Sequence, residues 1–318
     1  MAQHERSTMK FGVQVNLYRV PWQDIVASVR TMEEGLWNSI WFADHHIPPG
    51  GGGDDIEESK NAFEGLTTIA AVAGMTKRLQ LGNLVLGNTY RNPAHTALIA
   101  GTIGAISHGR FTLGIGAGWY EREHEAYGWH FPIMKERQDR FEEACELIRL
   151  LFHRQEPVDF QGKYYQLQHA QISPANYESS KPIPILVGGT GPKRTLRTLA
   201  RYGDVMNLDG WEGGGLELEY YKFKSRVLER HCEQCGRDPK EIRRTITMPC
   251  LITDDKARSE AMIAEYGNGT VAGPVQYVID RIGGFKDAGV DEIMFGYLPT
   301  GNCDVLELFE KEIIKAFL

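Results

Sequence analysis

Cysteine is scarce in this chain: five in 318 residues, an odd number and widely scattered. That speaks against a disulfide framework and fits a reducing, cytoplasmic setting better. No apolar run approaches the ~20 residues of a bilayer-spanning helix, and no secretory leader is read at the N-terminus. Lys/Arg runs are missing too. Acid and base are mixed along the chain at a net charge of −7, which argues against nucleic acid or a membrane surface as partner. There is no His-x-His pair, so Asp44, His45, His46, His95 and His108 make no metallohydrolase pattern and no metal is expected. The single Cys-x-x-Cys, Cys232 to Cys235, closes a predicted helix just before Gly236, where a redox pair would open one; it reads as structural. A Walker loop is absent. Gly114-Ile115-Gly116-Ala117-Gly118 is no dinucleotide fingerprint either, because its glycines fall at every second residue.

What is present is a regular alternation of strand and helix patterns. Residues 1–8 are polar and read as a frayed extension, and one domain is expected over 9–318. Strands are predicted at Lys10–Leu17, Ser39–His45, Leu79–Gly87, from Phe111, and at Pro184–Gly189, Val205–Asp209, Thr245–Thr253 and Glu292–Leu298. The helices between them are Pro21–Gly35, Glu64–Thr76, Asn92–Ser107, Glu136–Phe152, Pro192–Gly203, Leu216–Cys235, Val275–Gly289 and Val305–Leu318. Ala257–Tyr266 reads as an extra short helix, and Glu156–Pro182 as an irregular inserted excursion. Ile47–Asn61, with its Gly50–Gly53 run, reads as a long loop, either a lid or plain surface. Eight βα units favour an α/β fold closed into a single TIM (β/α)8 barrel with insertions in its βα loops; an open doubly wound sheet is the alternative.

In such a barrel the chemistry sits where strands end. Phe111, Leu113, Ile115 and Ala117 share one face of their strand; Thr112, Gly114, Gly116 and Gly118 share the other and leave bare backbone that another body can approach. His45, at the end of the second strand, suits proton transfer near neutral pH if it faces the axis with Trp41 and Ala43. Asp44 would orient it, contact a ring, or simply serve a turn. Gly188-Gly189-Thr190-Gly191 runs into a helix near Pro192, with Lys193 and Arg194 close by. Those glycines serve either a phosphate site or a plain βα turn.

FADHH at Phe42–His46, TYRNPA at Thr89–Ala94, GRFTLGIGAGWYEREHEAYG at Gly109–Gly128 and PILVGGTGPKRTLRTLARYGD at Pro184–Asp204 together resemble the bacterial luciferase-like flavin-utilising family. The resemblance runs from Met9 onward and is nearest to members described as coenzyme F420-dependent oxidoreductases. It implies a flavin-like tricycle at the barrel mouth. Asn83, Leu84 and Val85 match a bulge behind the ring, often with a non-proline cis peptide. Gly116, Ala117 and Gly118 match residues lining the cofactor, Gly188, Gly189, Thr190 and Gly191 the loop for the ribityl phosphate, and Asp44 and His45 an Asp-His pair at the ring. Hydride transfer between F420 and an organic substrate is implied. The alternatives are an FMN-dependent monooxygenase fed by a reductase partner and a non-catalytic flavin-binding protein. A homodimer is expected. One departure stands out. Where sugar-phosphate dehydrogenase relatives carry a substrate-directed glutamate after the glycines, this chain has Trp119; Glu121 and Glu123 lie further on, and their reach is open. Trp119, Tyr120, Tyr90 and Trp211, with Asn16 at the end of the first strand, suggest an aromatic, apolar substrate pocket.

Overall fold

The computed structural model of the protein describes residues 8–49, 62–154, 156–172, 181–209 and 216–318. Eight parallel strands form the barrel: β1 (Lys10–Val15), β2 (Ser39–Phe42), β3 (Gln80–Asn83), β4 (Phe111–Gly116), β5 (Ile185–Gly188), β6 (Val205–Asp209), β7 (Arg243–Ile252) and β8 (Glu292–Gly296). Each pairs with its sequence neighbour, and β1 pairs with β8, so no edge is left. The surrounding helices are α1 (Trp22–Glu34), α2 (Gly65–Met75), α3 (Pro93–Ile106), α4 (Met134–His153), α5 (Thr195–Tyr202), α6 (Leu218–Cys235), α7 (Val275–Asp287) and α8 (Cys303–Glu312). This is the TIM barrel that the alternation predicts. No helix among the described residues is long and apolar enough to cross a membrane.

Strand parity divides the core. Ile40, Phe42, Phe111, Leu113, Ile115, Ile185 and Val187 face the helices in one large cluster. Trp41, Leu186, Val205 and Met294 form a second, inside the barrel, with Leu84 and Val85 packed on it. Trp41 fits because Gly82 faces it: a Cβ there would come within 2.2 Å of the indole. Its Nε1 donates to Ser39 Oγ at 2.7 Å, and Ser39 in turn donates to buried Glu292.

The predicted strand Leu79–Gly87 is interrupted. β3 stops at Asn83, Leu84–Val85 bulges with a cis peptide between the two residues, and pairing with β4 resumes at Leu86–Gly87. This bulge explains the glycines of β4. A Cβ on Gly114 would lie 1.9 Å from the Asn83 carbonyl oxygen, and one on Gly116 would lie 3.1 Å from a Val85 methyl. The body that approaches the bare face of β4 is therefore the protein's own bulge. Gly114→Ala is expected to destabilise the fold by about 1–3 kcal/mol, the usual cost of overpacking, because the obstacle is backbone and cannot rotate away. A thermal melt within 1 °C of wild type would refute this.

Other local differences have physical causes. The excursion at 156–182 contains an antiparallel hairpin, Val158–Gln161 with Gln166–Ala170. Val158, Phe160, Tyr165 and Leu167 pack on the core, and Glu143 gathers the turn by accepting from the N–H groups of Lys163, Tyr164 and Tyr165 at 3.0, 2.8 and 2.7 Å. A short strand, Val271–Gly273, extends the sheet beside β7. Glu121–Tyr127 is a helix. Residues 1–7 of the expected extension, residues 50–61 of the long loop, and Trp211 lie outside the described residues.

Candidate active site

At the mouth of the barrel a carboxylate gathers four groups. Glu123, from the helix Glu121–Tyr127, is fully buried. One oxygen lies 3.0 Å from His45 Nδ1 and also accepts from the Tyr90 hydroxyl; the other accepts from the His46 N–H and, at 2.9 Å, from the Ile47 N–H. Burial alone pushes this carboxyl upward. The His45 hydrogen bond and charge, the Tyr90 hydroxyl and the Ile47 N–H outweigh it and hold the group below its ordinary value. Glu123 is thus an anion. Whatever proton His45 carries on Nδ1 is held by it, leaving Nε2 as the nitrogen free for chemistry.

The His45 ring meets Trp119 and Tyr120 edge-on, at centroid distances of 5.4 and 5.8 Å. Those two rings stack on each other at 4.9 Å, and Trp119 is 60 % exposed. Tyr90 does not present a free hydroxyl to a substrate. It is committed to Glu123, and burial beside that carboxylate pushes its pKa far up.

Asp44 does not orient His45. Both of its oxygens receive Arg91, at 2.7 and 2.9 Å, and Arg91 also reaches Glu64. Asp44 is buried, and that burial raises its pKa despite the guanidinium. Asn16 is likewise committed locally: its amide donates to the Tyr18 carbonyl at 3.0 Å and accepts the Tyr18 N–H at 2.9 Å. Asn83 staples β3 to β4 through Gly114, and its side chain is buried and committed there. Leu84 and Val85 are half-buried there, and so are Ala117 and Gly118; Gly116 is buried. Gly118 has φ +81°, and a Cβ on it would strike Thr89.

At the end of β5, Gly189 has φ +107°, a conformation that favours glycine, and a Cβ on Gly191 would come within 2.7 Å of Thr195 Oγ1. Arg194, expected to lend charge here, is ion-paired with Asp139. Cys232 and Cys235 lie in the last turn of α6, away from this chemistry, and burial pushes the Cys232 thiol up to about 11.

Sequence reading missed Glu123 and Arg91 as site residues. Arg91 sits in the TYRNPA segment, and its type was the signal. Glu123 had a fainter one: Glu123 and His124 are the buried pair of a helix that reads as uniformly polar.

Residues 6–278 match the luciferase-like monooxygenase family. An F420-dependent glucose-6-phosphate dehydrogenase of Amycolatopsis mediterranei is 33% identical over 244 residues, 75% of this chain and 68% of that one. A protein of the same name from Kineococcus radiotolerans is 35% identical over 234 residues, covering 73% of this chain and 64% of its own length. The chain thus spans about two thirds of the length of these relatives. Among solved structures, an F420-dependent secondary alcohol dehydrogenase in complex with an F420-acetone adduct superposes with a TM-score of 0.80, over 96% of this chain and 98% of that one, at 19% identity.

Proposed function

The chain belongs to the luciferase-like monooxygenase family, and from that premise we propose that it is an F420-dependent oxidoreductase acting on a small, largely apolar organic molecule. The observation that carries this reading is the Glu123–His45 pair beside an exposed aromatic wall. The mouth offers what a flat ring with an anionic tail needs. The half-buried Leu84–Val85 bulge and Ala117–Gly118 give an apolar seat, and Gly188–Gly191 gives a glycine turn ahead of α5.

Bound there, the deazaflavin would supply hydride chemistry. The protein's own part is proton handling and placement. Glu123 fixes the His45 ring by holding Nδ1, and Nε2 exchanges a proton with the substrate oxygen. Trp119 and Tyr120 flank the His45 ring and offer an aromatic surface on which the substrate would stack. With Trp119 after the glycines and Glu123 turned onto His45, no carboxylate is offered to a sugar hydroxyl at that position, which supports an aromatic or aliphatic alcohol or carbonyl compound over a sugar phosphate. A homodimer, expected from the family resemblance, belongs to the same reading.

Titration of the purified protein with F420 and with FMN tests the cofactor. Micromolar binding of F420 and reversible, substrate-dependent change of its absorbance are expected. FMN binding alone, with oxygen consumption when reduced FMN is supplied, would overturn it in favour of a monooxygenase. Binding with no turnover on any alcohol or carbonyl compound would favour a carrier.

A further inference from the structure

α6 packs its inner face with Tyr221, Ser225, Leu228 and Cys232, at helical spacing. Lys224 occupies a place in that same face. It is only 4% exposed. Its Nζ donates to the Thr190 carbonyl at 2.5 Å and lies 4.8 Å from the Tyr220 ring and 5.8 Å from that of Phe223. Among the described residues it forms no ion pair. An ammonium has three donors, and one carbonyl satisfies one of them. A buried charge with no counter-charge is unfavourable unless something supplies the anion.

The place of this charge matters. Thr190 is the third residue of the Gly188–Gly191 turn, itself buried, and the turn leads into α5. By holding the Thr190 carbonyl, Lys224 keeps a partial negative charge from swinging toward an incoming anion. Of the two cations nearer in sequence, Arg194 is neutralised by Asp139 and Lys193 is exposed, where water screens its charge. We propose that Lys224 is the buried cation of a phosphate site on this turn and a positioning residue for a phosphate-tailed ring cofactor. The claim about the cofactor's tail rests on the functional reading above; the claim about phosphate does not.

Lys224→Met and Lys224→Arg test it in the full-length protein, with ligands paired by the presence or absence of phosphate: F420 against its phosphate-free riboside, and FMN against riboflavin. Lys224→Met is expected to weaken the phosphate-bearing ligand at least tenfold and the phosphate-free one less than twofold. Lys224→Arg should restore most of the difference. Because methionine fills the same buried space without a charge, the ligand-free melting temperature should hold or rise. A fall in that temperature, with equal loss of both ligands, would make Lys224 merely structural and overturn the proposal. If the wild type binds neither F420 nor FMN, the cofactor reading fails, and inorganic phosphate then decides Lys224. A phosphate-induced rise in melting temperature that Lys224→Met abolishes sustains the site, and equal rises in both proteins overturn it.

Discussion

Glu123→Gln is expected to lower kcat by about 10²–10⁴-fold, the span of a general acid–base contribution, while cofactor affinity changes little. The amide keeps the shape of the carboxylate and changes its proton pattern. The oxygen that accepts from the His46 and Ile47 N–H groups must remain an oxygen, because backbone donors face it. The amide nitrogen then falls toward His45 Nδ1 and the Tyr90 hydroxyl. An NH2 donates to Nδ1, which forces the ring proton onto Nε2 and removes the negative charge that stabilises an imidazolium. The nitrogen facing the substrate is left in one protonation state and cannot cycle. The stability that Glu123 lends has a definite pH dependence. Its folded-state pKa lies below the ordinary 4.5, so the contribution is complete above that value and is lost as pH falls through the depressed one. Single-turnover reduction of bound cofactor, alongside a direct binding titration, separates chemistry from affinity. A kcat within fivefold of wild type would show that His45 does its work without this anion.

The barrel was legible because its code is periodic. Alternation in β1 and β4 and helical spacing in α1 and α6 each repeat a rule over several residues. The site was legible only in part, because its partnerships are made across the fold. His45 and Asp44 are neighbours in sequence, which invited pairing them. The backbone separates them just beyond β2: His45 turns toward Glu123, and Asp44 lies against Gly65 at the start of α2, where Arg91 meets it. The partner of His45 lies 78 residues away, on a seven-residue helix whose charged sequence hides an inward face. Lys224 was hidden in the opposite way, as a charge inside an apolar helical stripe. The β4 glycines were legible as a face that something approaches closely, but that the bulge of the neighbouring strand meets Gly114 and Gly116 is not written in the glycines themselves.

Arg91→Ala is expected to cost about 3–5 kcal/mol at neutral pH, the range for stripping one partner from a buried ion pair. The pair is built for such a loss. The Asp44 side chain is fully buried, Arg91 is 13% exposed, and the guanidinium fork meets both carboxylate oxygens while its edge also reaches Glu64, the residue that caps α2 by accepting the Thr67 N–H. Without Arg91 the Asp44 carboxylate keeps its burial and loses the charge that opposed it. The pH dependence follows from the direction of its pKa. Burial already raises Asp44 above 3.8 in the folded protein, so folded Asp44 binds more proton than the unfolded chain does, and stability falls as pH rises from 3.8 through the folded value. Removing Arg91 raises that folded value further and widens the window. The deficit of Arg91→Ala relative to wild type should therefore be smallest near the acid end and grow toward neutrality, and Asp44→Asn placed in the Arg91→Ala background should recover part of it. Urea unfolding at two pH values reads both effects. A deficit that does not change with pH would show that Asp44 carries no charge for Arg91 to neutralise. Because Asp44 is joined by a single peptide bond to His45, the same variant should also blunt turnover at temperatures where it remains folded. The clamp fixes the end of β2, and with it the place from which His45 reaches Glu123.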